Sequence, residues 1–205
     1  MRYLLDANVF IQAKNLHYGF DFCPAFWDWL IEQNAAGLVM SIEKVSDELR
    51  AGGDDLAAWA QQRTTAFFVA PDSQVVAALA GVSQWVTSQS YEPAAIATFL
   101  QVADYWLIGH ALAHSCVVVT HEVPSESTRK VKIPNVCVGM GLSCVTPYEC
   151  CAGNARDSCS VGISRKPGSA RSRKSDSVHA RHLGSFARLL ISHAAATSAL
   201  ARQRG

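Results

Sequence analysis

The chain has no apolar run approaching the roughly 20 residues needed to cross a bilayer. Its one early apolar run is broken by Asp6, which removes the pattern of a secretory signal. A soluble, cytoplasmic protein without a membrane partner is therefore expected. The seven cysteines are odd in number and no two stand as C-x-x-C. Neither a disulfide framework nor a zinc site is indicated, and mostly buried thiols are expected. Basic residues are scarce through Glu149, with eight Lys/Arg against fifteen Asp/Glu, while ten basic and two acidic residues follow from Cys150. A net charge of +1 conceals this asymmetry. An acidic domain that handles a polyanion needs metal ions or a local basic strip to overcome repulsion.

Length allows one domain with a full core and leaves too little for a second. The expected division is a domain over residues 1–149 and a basic, low-complexity tail over 150–205. Ser, Arg and Gly dominate much of that tail, and segments so poor in apolar residues do not offset their ordering entropy, so partial disorder is expected. The run from Arg165 to Lys174 offers phosphate contacts, but a solvated appendage or a reading-frame change is the plainer reading. Gly184 to Arg202 has enough Leu, Ile and Ala for a helix that has something to pack on.

The domain alternates short apolar runs with helical periodicity, the pattern of an α/β fold. Leu4-Leu5 leads to Asp6 and Asn8, a buried strand that delivers a carboxylate to its C-terminal edge, where open α/β sheets bind ligands. Asp-x-Asn at that place is also a common helix cap. Pro24 opens a helix with Phe26, Trp27, Trp29, Leu30 and Ile31 as apolar residues and Gly37 past its end; the aromatic cluster reads as packing, with Tyr18 and Phe20 in the preceding loop as candidates for exposure. Leu38-Val39-Met40 predicts a strand, with Ser41 capping a helix on which Val45 and Leu49 face inward. On that helix Glu48 flanks the core edge, whereas Glu43 and Asp47 are solvated. Asp54-Asp55 caps a helix through Arg63, Phe67 to Ala70 is a strand, and a helix from Asp72 carries Val75, Val76, Leu79, Val82 and Trp85. After the break at Tyr91-Glu92-Pro93 the helical pattern resumes.

Val102 to His114 is an apolar helix with small residues for close packing and a single acid, Asp104. A lone acid there is costly to bury unless paired or ligating. His110 and His114, one turn apart, form a weak metal pair without a third ligand and read better as surface histidines. Cys116 to Thr120 is a β-branched internal strand ending in Thr120-His121-Glu122, a second carboxylate at a strand end. The following loop holds Arg129, Lys130 and Lys132, a basic cluster fit for phosphates. Residues 134–142 predict a short helix, 143–146 a last strand, and Pro147 starts a further helix.

Four acids, Asp6, Glu48, Asp104 and Glu122, are thus placed to converge. Four ionised carboxylates in one pocket require a proton or divalent cations, and oxygen-only ligation suits Mg²⁺ or Mn²⁺. Such a site activates water against a phosphodiester. Leu4-Leu5-Asp6-Ala7-Asn8, Glu48-Leu49, Asp104 in ADYWLIGHALAH and Thr120-His121-Glu122 together resemble the PIN-domain nucleases, over residues 1–149. LLDANVFIQAKN and VVTHE are most similar to a prokaryotic VapC-like branch.

The resemblance implies a three-layer α/β/α sandwich with a central parallel sheet. It also implies an endoribonuclease, the toxin of a toxin–antitoxin pair, that holds Mg²⁺ or Mn²⁺ with Asp6, Glu48, Asp104 and Glu122. Asn8 and Thr120 would orient ligands or waters, and Arg129, Lys130 and Lys132 would touch RNA. It further implies a cognate antitoxin and a homodimer, for which Trp27 and Trp85 are the aromatic contacts. Most of the superfamily has Asp where Glu122 stands, and the extra methylene admits ligation through a water. A DNA nuclease, or a PIN-like binding module without catalysis, are the alternatives.

Overall fold

A computed structural model describes residues 1–151. The chain divides after Thr146: residues 147–151, which begin a helix at Pro147 as expected, belong to a second unit, and the basic tail lies otherwise outside the described residues.

The first unit alternates strands and helices. In chain order they are β1 (Tyr3–Leu5), α1 (Ala7–Gln12), a π-helical turn (Ala13–His17), α2 (Pro24–Ala35), β2 (Val39–Ile42), α3 (Glu43–Ala51) and α4 (Asp55–Gln61). Then follow β3 (Phe68–Val69), α5 (Ser73–Ser88), α6 (Pro93–Phe99), α7 (Ala103–His114), β4 (Val117–Val119), α8 (Ile133–Gly139) and β5 (Cys144–Val145). The five strands are all parallel, in the order β3-β2-β1-β4-β5, with Tyr3 opposite Val39, Leu4 opposite Val118 and Val118 opposite Cys144. Helices flank this sheet, giving the expected three-layer sandwich.

Local chemistry accounts for the elements. Val117, Val118 and Val119 are buried, as a β-branched strand covered on both faces should be. Asp54 and Asp72 cap α4 and α5, accepting from the N–H groups of Ala57 (3.0 Å) and Val75 (2.9 Å). Pro24 and Pro93 open α2 and α6, where a missing N–H costs nothing. Gly37 and Gly53 take positive φ just beyond α2 and α3.

Helix α7 packs closely on α5 because position 109 has no side chain. A Cβ there would come within 2.5 Å of Leu79 Cδ2. Beneath α1, Phe10 packs on Trp59, Phe67 and Phe68, and Trp27 meets Trp59 at 5.0 Å. Each such buried side chain contributes about 1.5–3 kcal/mol.

Several expectations are corrected. Tyr18 stacks on Phe26 and Phe20 on Trp27, so both loop aromatics are packing elements. Trp27 is buried and Trp85 half-buried against the core, so Trp27 offers no surface to a second copy. Val76 is exposed, because its neighbour Val75 takes the inward position and successive helical residues point about 100° apart. Helix α4 ends at Gln61, two residues early, and Arg63 folds back over the Trp59 ring. Ser41 does not cap α3: it lies in β2, and its hydroxyl donates to the Leu5 carbonyl at 2.6 Å.

Candidate active site

The strand order has one reversal. The chain builds outward from β1 through β2 to β3, then returns to the other side of β1 to lay down β4 and β5. In open parallel sheets the crevice beyond the strand ends at such a reversal is the usual ligand site. Both flanking strands end in the residues singled out above. Asp6 follows β1 and Thr120-His121-Glu122 follows β4.

The two strand ends are bonded together. Asp6 donates its backbone N–H to the Val119 carbonyl at 3.0 Å. Its Oδ2 accepts from the Thr120 hydroxyl at 2.7 Å and from Asn8 Nδ2 at 3.3 Å. Thr120, itself buried, also accepts from the Glu122 N–H at 3.1 Å. Asp6 occupies the N-cap position of α1, yet its side chain makes no capping hydrogen bond. The carboxylate is thus held by the Thr120 hydroxyl and the Asn8 side-chain amide. It is 2 % exposed, and burial raises its pKa against the opposing pull of those two bonds.

The other acids join it electrostatically. Asp104 is half-buried in the first turn of α7, and its carboxyl is pushed up to about 7. Burial is the largest cause, followed by the charges of Asp6, Glu122 and Glu48, with Lys130 pulling the other way. Glu48 stands exposed on α3, raised first by burial and then by Asp6. The fold therefore brings the four predicted acids into one mutual field.

Three of them, Glu48, Asp104 and Glu122, border a cleft of about 540 Å³. Asn8, Glu48, Asp104 and Glu122 form its polar part, Thr98, Phe99 and Val102 an apolar part, and Arg129, Lys130 and Val131 a third side.

Glu122 differs from the other three in having both oxygens engaged and ammonium groups as partners. Oε1 receives Lys132 Nζ at 2.6 Å and lies 3.5 Å from Lys130 Nζ, and Oε2 receives the Ile133 N–H at 3.0 Å. Of the basic cluster, Lys132 is thus committed to Glu122, and Arg129 pairs with Glu92 at 3.5 Å on the surface. Lys130 borders the cleft with 65 % of its side chain exposed.

The donor chemistry fits a hard divalent cation. Its members are carboxylates, amide and hydroxyl oxygens, and the pKa values of Asp6, Glu48 and Asp104 are raised first by burial and then by neighbouring carboxylates. Among the described residues no three His, Cys, Asp or Glu side chains form a ready-made cage. Mg²⁺ commonly takes one or two carboxylates and keeps several waters, so an open set of acids suits it better than a closed one.

The histidines of α7 are not both on the surface. His110 is 2 % exposed, and its pKa is pushed down to about 4, by burial first and by His114 second. His110 stands one residue beyond Gly109, and apolar counting around a polar residue does not reveal its burial. Sequence reasoning also passed over Glu92, whose N–H holds the Thr128 carbonyl at 2.9 Å, and Ser41, which secures the end of β1. His17 and His121 lie with ring centroids 6.3 Å apart beside the strand ends. The π-helical turn that delivers His17 has no compositional signal.

Fold and site together define an all-parallel α/β protein with an acid-lined cleft at the reversal of its sheet. The chain belongs to the DUF4411 family, described as a domain of unknown function, which matches residues 3–155. No curated protein and no solved structure matches the chain.

Proposed function

We propose that this protein is a divalent-metal-dependent endoribonuclease, with Asp6, Asp104 and Glu48 holding Mg²⁺ or Mn²⁺. The observation that carries the reading is Asp104, whose carboxyl is raised to about 7 by burial and three other carboxylates at the sheet reversal. Such a cluster is poorly neutralised by the protein alone and is relieved by a cation. When bound, the metal supplies charge neutralisation of a phosphodiester and activation of a water. The protein's own part is to orient and exclude. Thr120 and Asn8 fix one face of the Asp6 carboxylate, α7 presents Asp104 from its first turn, and the apolar side limits the water around the scissile group.

RNA as substrate, a toxin role and a cognate antitoxin that covers or distorts the cleft are supported by the resemblance of LLDANVFIQAKN and VVTHE to prokaryotic PIN-like toxins. The engaged oxygens of Glu122 favour a second reading, a PIN-like interaction module without catalysis. The test is cleavage of a mixed RNA pool by wild type and Asp104→Asn, with Mg²⁺, Mn²⁺ or chelator, beside single-stranded DNA. Metal-dependent cleavage of RNA lost in the variant is expected. Equal activity in both proteins, or none in either, refutes the nuclease reading, and cleavage of DNA alone reassigns its substrate.

A further inference from the structure

Glu122 borders the cleft where the resemblance implies a metal-ligating acid, yet its carboxylate is taken up by the loop that follows it. Both oxygens of its carboxylate accept a hydrogen bond, from Lys132 and from the Ile133 N–H, and Lys130 Nζ lies 3.5 Å from Oε1 as an ion pair. A cation placed on this carboxylate would sit beside two ammonium groups. The side chain is 9 % exposed, so these partners are not exchanged freely with water.

The same contacts close a loop. Residues 123–132 leave from Glu122 and return to it, because Lys132 and Ile133 at the far end bind its carboxylate. Between those ends the loop is fastened at three further places. Ser125 exchanges two hydrogen bonds with the Asn135 side chain, at 3.0 and 2.9 Å. Thr128 accepts from the Glu92 N–H, and Val131 is buried in the core cluster with Phe99 and Ile108. Lys130 lies between Arg129, paired with Glu92, and this buried Val131. It is held at the cleft, where its charge opposes the upward shift of Asp104.

We propose that Glu122 is a positioning residue that fastens the basic loop over the acidic cleft, and that Lys130 is the cation the loop presents to a substrate phosphate. On this assignment the extra methylene of Glu has a purpose: the carboxylate must reach the first N–H of α8 and Lys132, which a shorter Asp does not. The proposal rests on the nuclease reading for the identity of the phosphate, while the loop contact stands apart from it.

The ligand role and the positioning role predict opposite orders for two conservative variants. A ligand tolerates Glu122→Asp, which restores the usual superfamily acid, and fails with Glu122→Gln. A fastening residue does better with Glu122→Gln, whose one amide oxygen still accepts from Ile133 while the Lys132 ion pair is given up, than with Glu122→Asp, which reaches neither.

The experiment measures three quantities on the full chain: Mn²⁺ affinity by titration, hydrogen exchange at the Ile133 amide, and binding of a labelled single-stranded oligouridylate in chelator. We expect both variants to keep Mn²⁺ affinity within about tenfold of wild type, the lower edge of what even a ligand's outer partner costs. Exchange at Ile133 rises in Glu122→Asp and stays near wild type in Glu122→Gln. Lys130→Ala weakens oligouridylate binding and lowers its salt slope by about one. In cleavage assays Glu122→Asp raises KM more than it lowers kcat.

Loss of Mn²⁺ affinity beyond about tenfold in Glu122→Gln overturns the assignment of Glu122. So does unchanged exchange in Glu122→Asp. An unchanged salt slope in Lys130→Ala, or no oligouridylate binding by wild type, overturns that of Lys130. A wild type that binds oligouridylate but neither binds Mn²⁺ nor cuts RNA sinks the nuclease reading alone, since the exchange and salt measurements still score this proposal.

Discussion

His110 makes the stability of this fold fall with acid in a way that can be isolated. Its imidazole is 2 % exposed on α7 and its pKa in the fold is about 4, against about 6.5 in an unfolded chain. The groups acting on it are buried surroundings, His114 on the same helix, and Asp72 at the start of α5, which pulls weakly the other way. A histidine with a depressed folded pKa is protonated first in the unfolded state. Its contribution is intact above about pH 6.5 and is lost as pH falls toward 4, since the unfolded chain then binds the extra proton. Integrating between these values gives about 2 kcal/mol lost by pH 5 and about 3 kcal/mol by pH 4. The raised carboxyls of Asp6, Glu48 and Asp104 act with the opposite sign, because there the folded state takes up the proton first. Wild type alone would therefore show a muted trend. The informative quantity is the difference between wild type and His110→Gln in urea unfolding at about pH 7.5, 6 and 5 with chelator present. His110→Gln is expected to be less stable near pH 7.5, and the gap should narrow by about 2 kcal/mol at pH 5. Parallel curves across that range would refute the argument, and would mean that the imidazole is hydrated or paired when charged.

Thr120→Val keeps volume but removes the hydroxyl that donates to Asp6 and accepts from Glu122 N–H, so about 1–3 kcal/mol of stability should be lost in chemical unfolding. An unchanged midpoint would argue that water replaces the hydroxyl. A Cβ at Gly139 would lie inside the Trp85 ring, so Gly139→Ala should cost about 1–3 kcal/mol despite the better helix propensity of Ala, read as a lowered Tm. Saturating Mn²⁺ should raise Tm, with about 2.7 kcal/mol gained at a hundredfold excess over Kd. Asp104→Asn should be more stable than wild type in chelator and should lose most of that gain, whereas a metal response equal to wild type would place the ion elsewhere.

The parts of the site that were legible in the sequence are those fixed by position along a strand or helix. Asp6 and Glu122 follow apolar runs whose ends must lie at the carboxyl edge of a parallel sheet, and Asp104 is the one acid of an apolar helix. Asn8 stands two residues beyond Asp6, and Thr120 is expected at the site only through the resemblance. What was not legible depends on how elements meet. Ser41 reads as a cap because Ser before a helical pattern usually is one, yet strand β2 runs on and directs the hydroxyl across to Leu5. Val76 and Trp27 fit a periodic pattern that does not say which face a neighbouring helix will cover. Burial of His110 likewise depends on which elements pack around α7, as the contact of Leu79 with Gly109 does across the whole of α6.

The occupation of Glu122 belongs to the same class, and it bears on how an acidic cluster survives in a fold. Asp6 and Asp104 are held at the meeting of β1, β4 and α7, elements that pack for reasons independent of their charge: three adjacent valines, a close helix pair, a buried Phe10. Their mutual repulsion is sustained because none of these elements can move apart without exposing apolar surface. Glu122 lies where the regular structure ends, and there a carboxylate without partners would be free to turn outward. Lys132 and the first N–H of α8 give it a reason to stay, and the loop between them is shaped by that reason. The rigid acids thus need the core to keep them, whereas Glu122 keeps the loop. A substitution that loosens α5 against α7 should therefore disturb Asp104 and leave the Glu122 loop closed, while one at Lys132 should do the reverse. Gly109→Ala and Lys132→Ala, compared by hydrogen exchange at Ile108, whose N–H bonds back to the first turn of α7, and at Ile133, put that separation to the test: exchange that changes at both residues in either variant would show one cooperative unit instead of two.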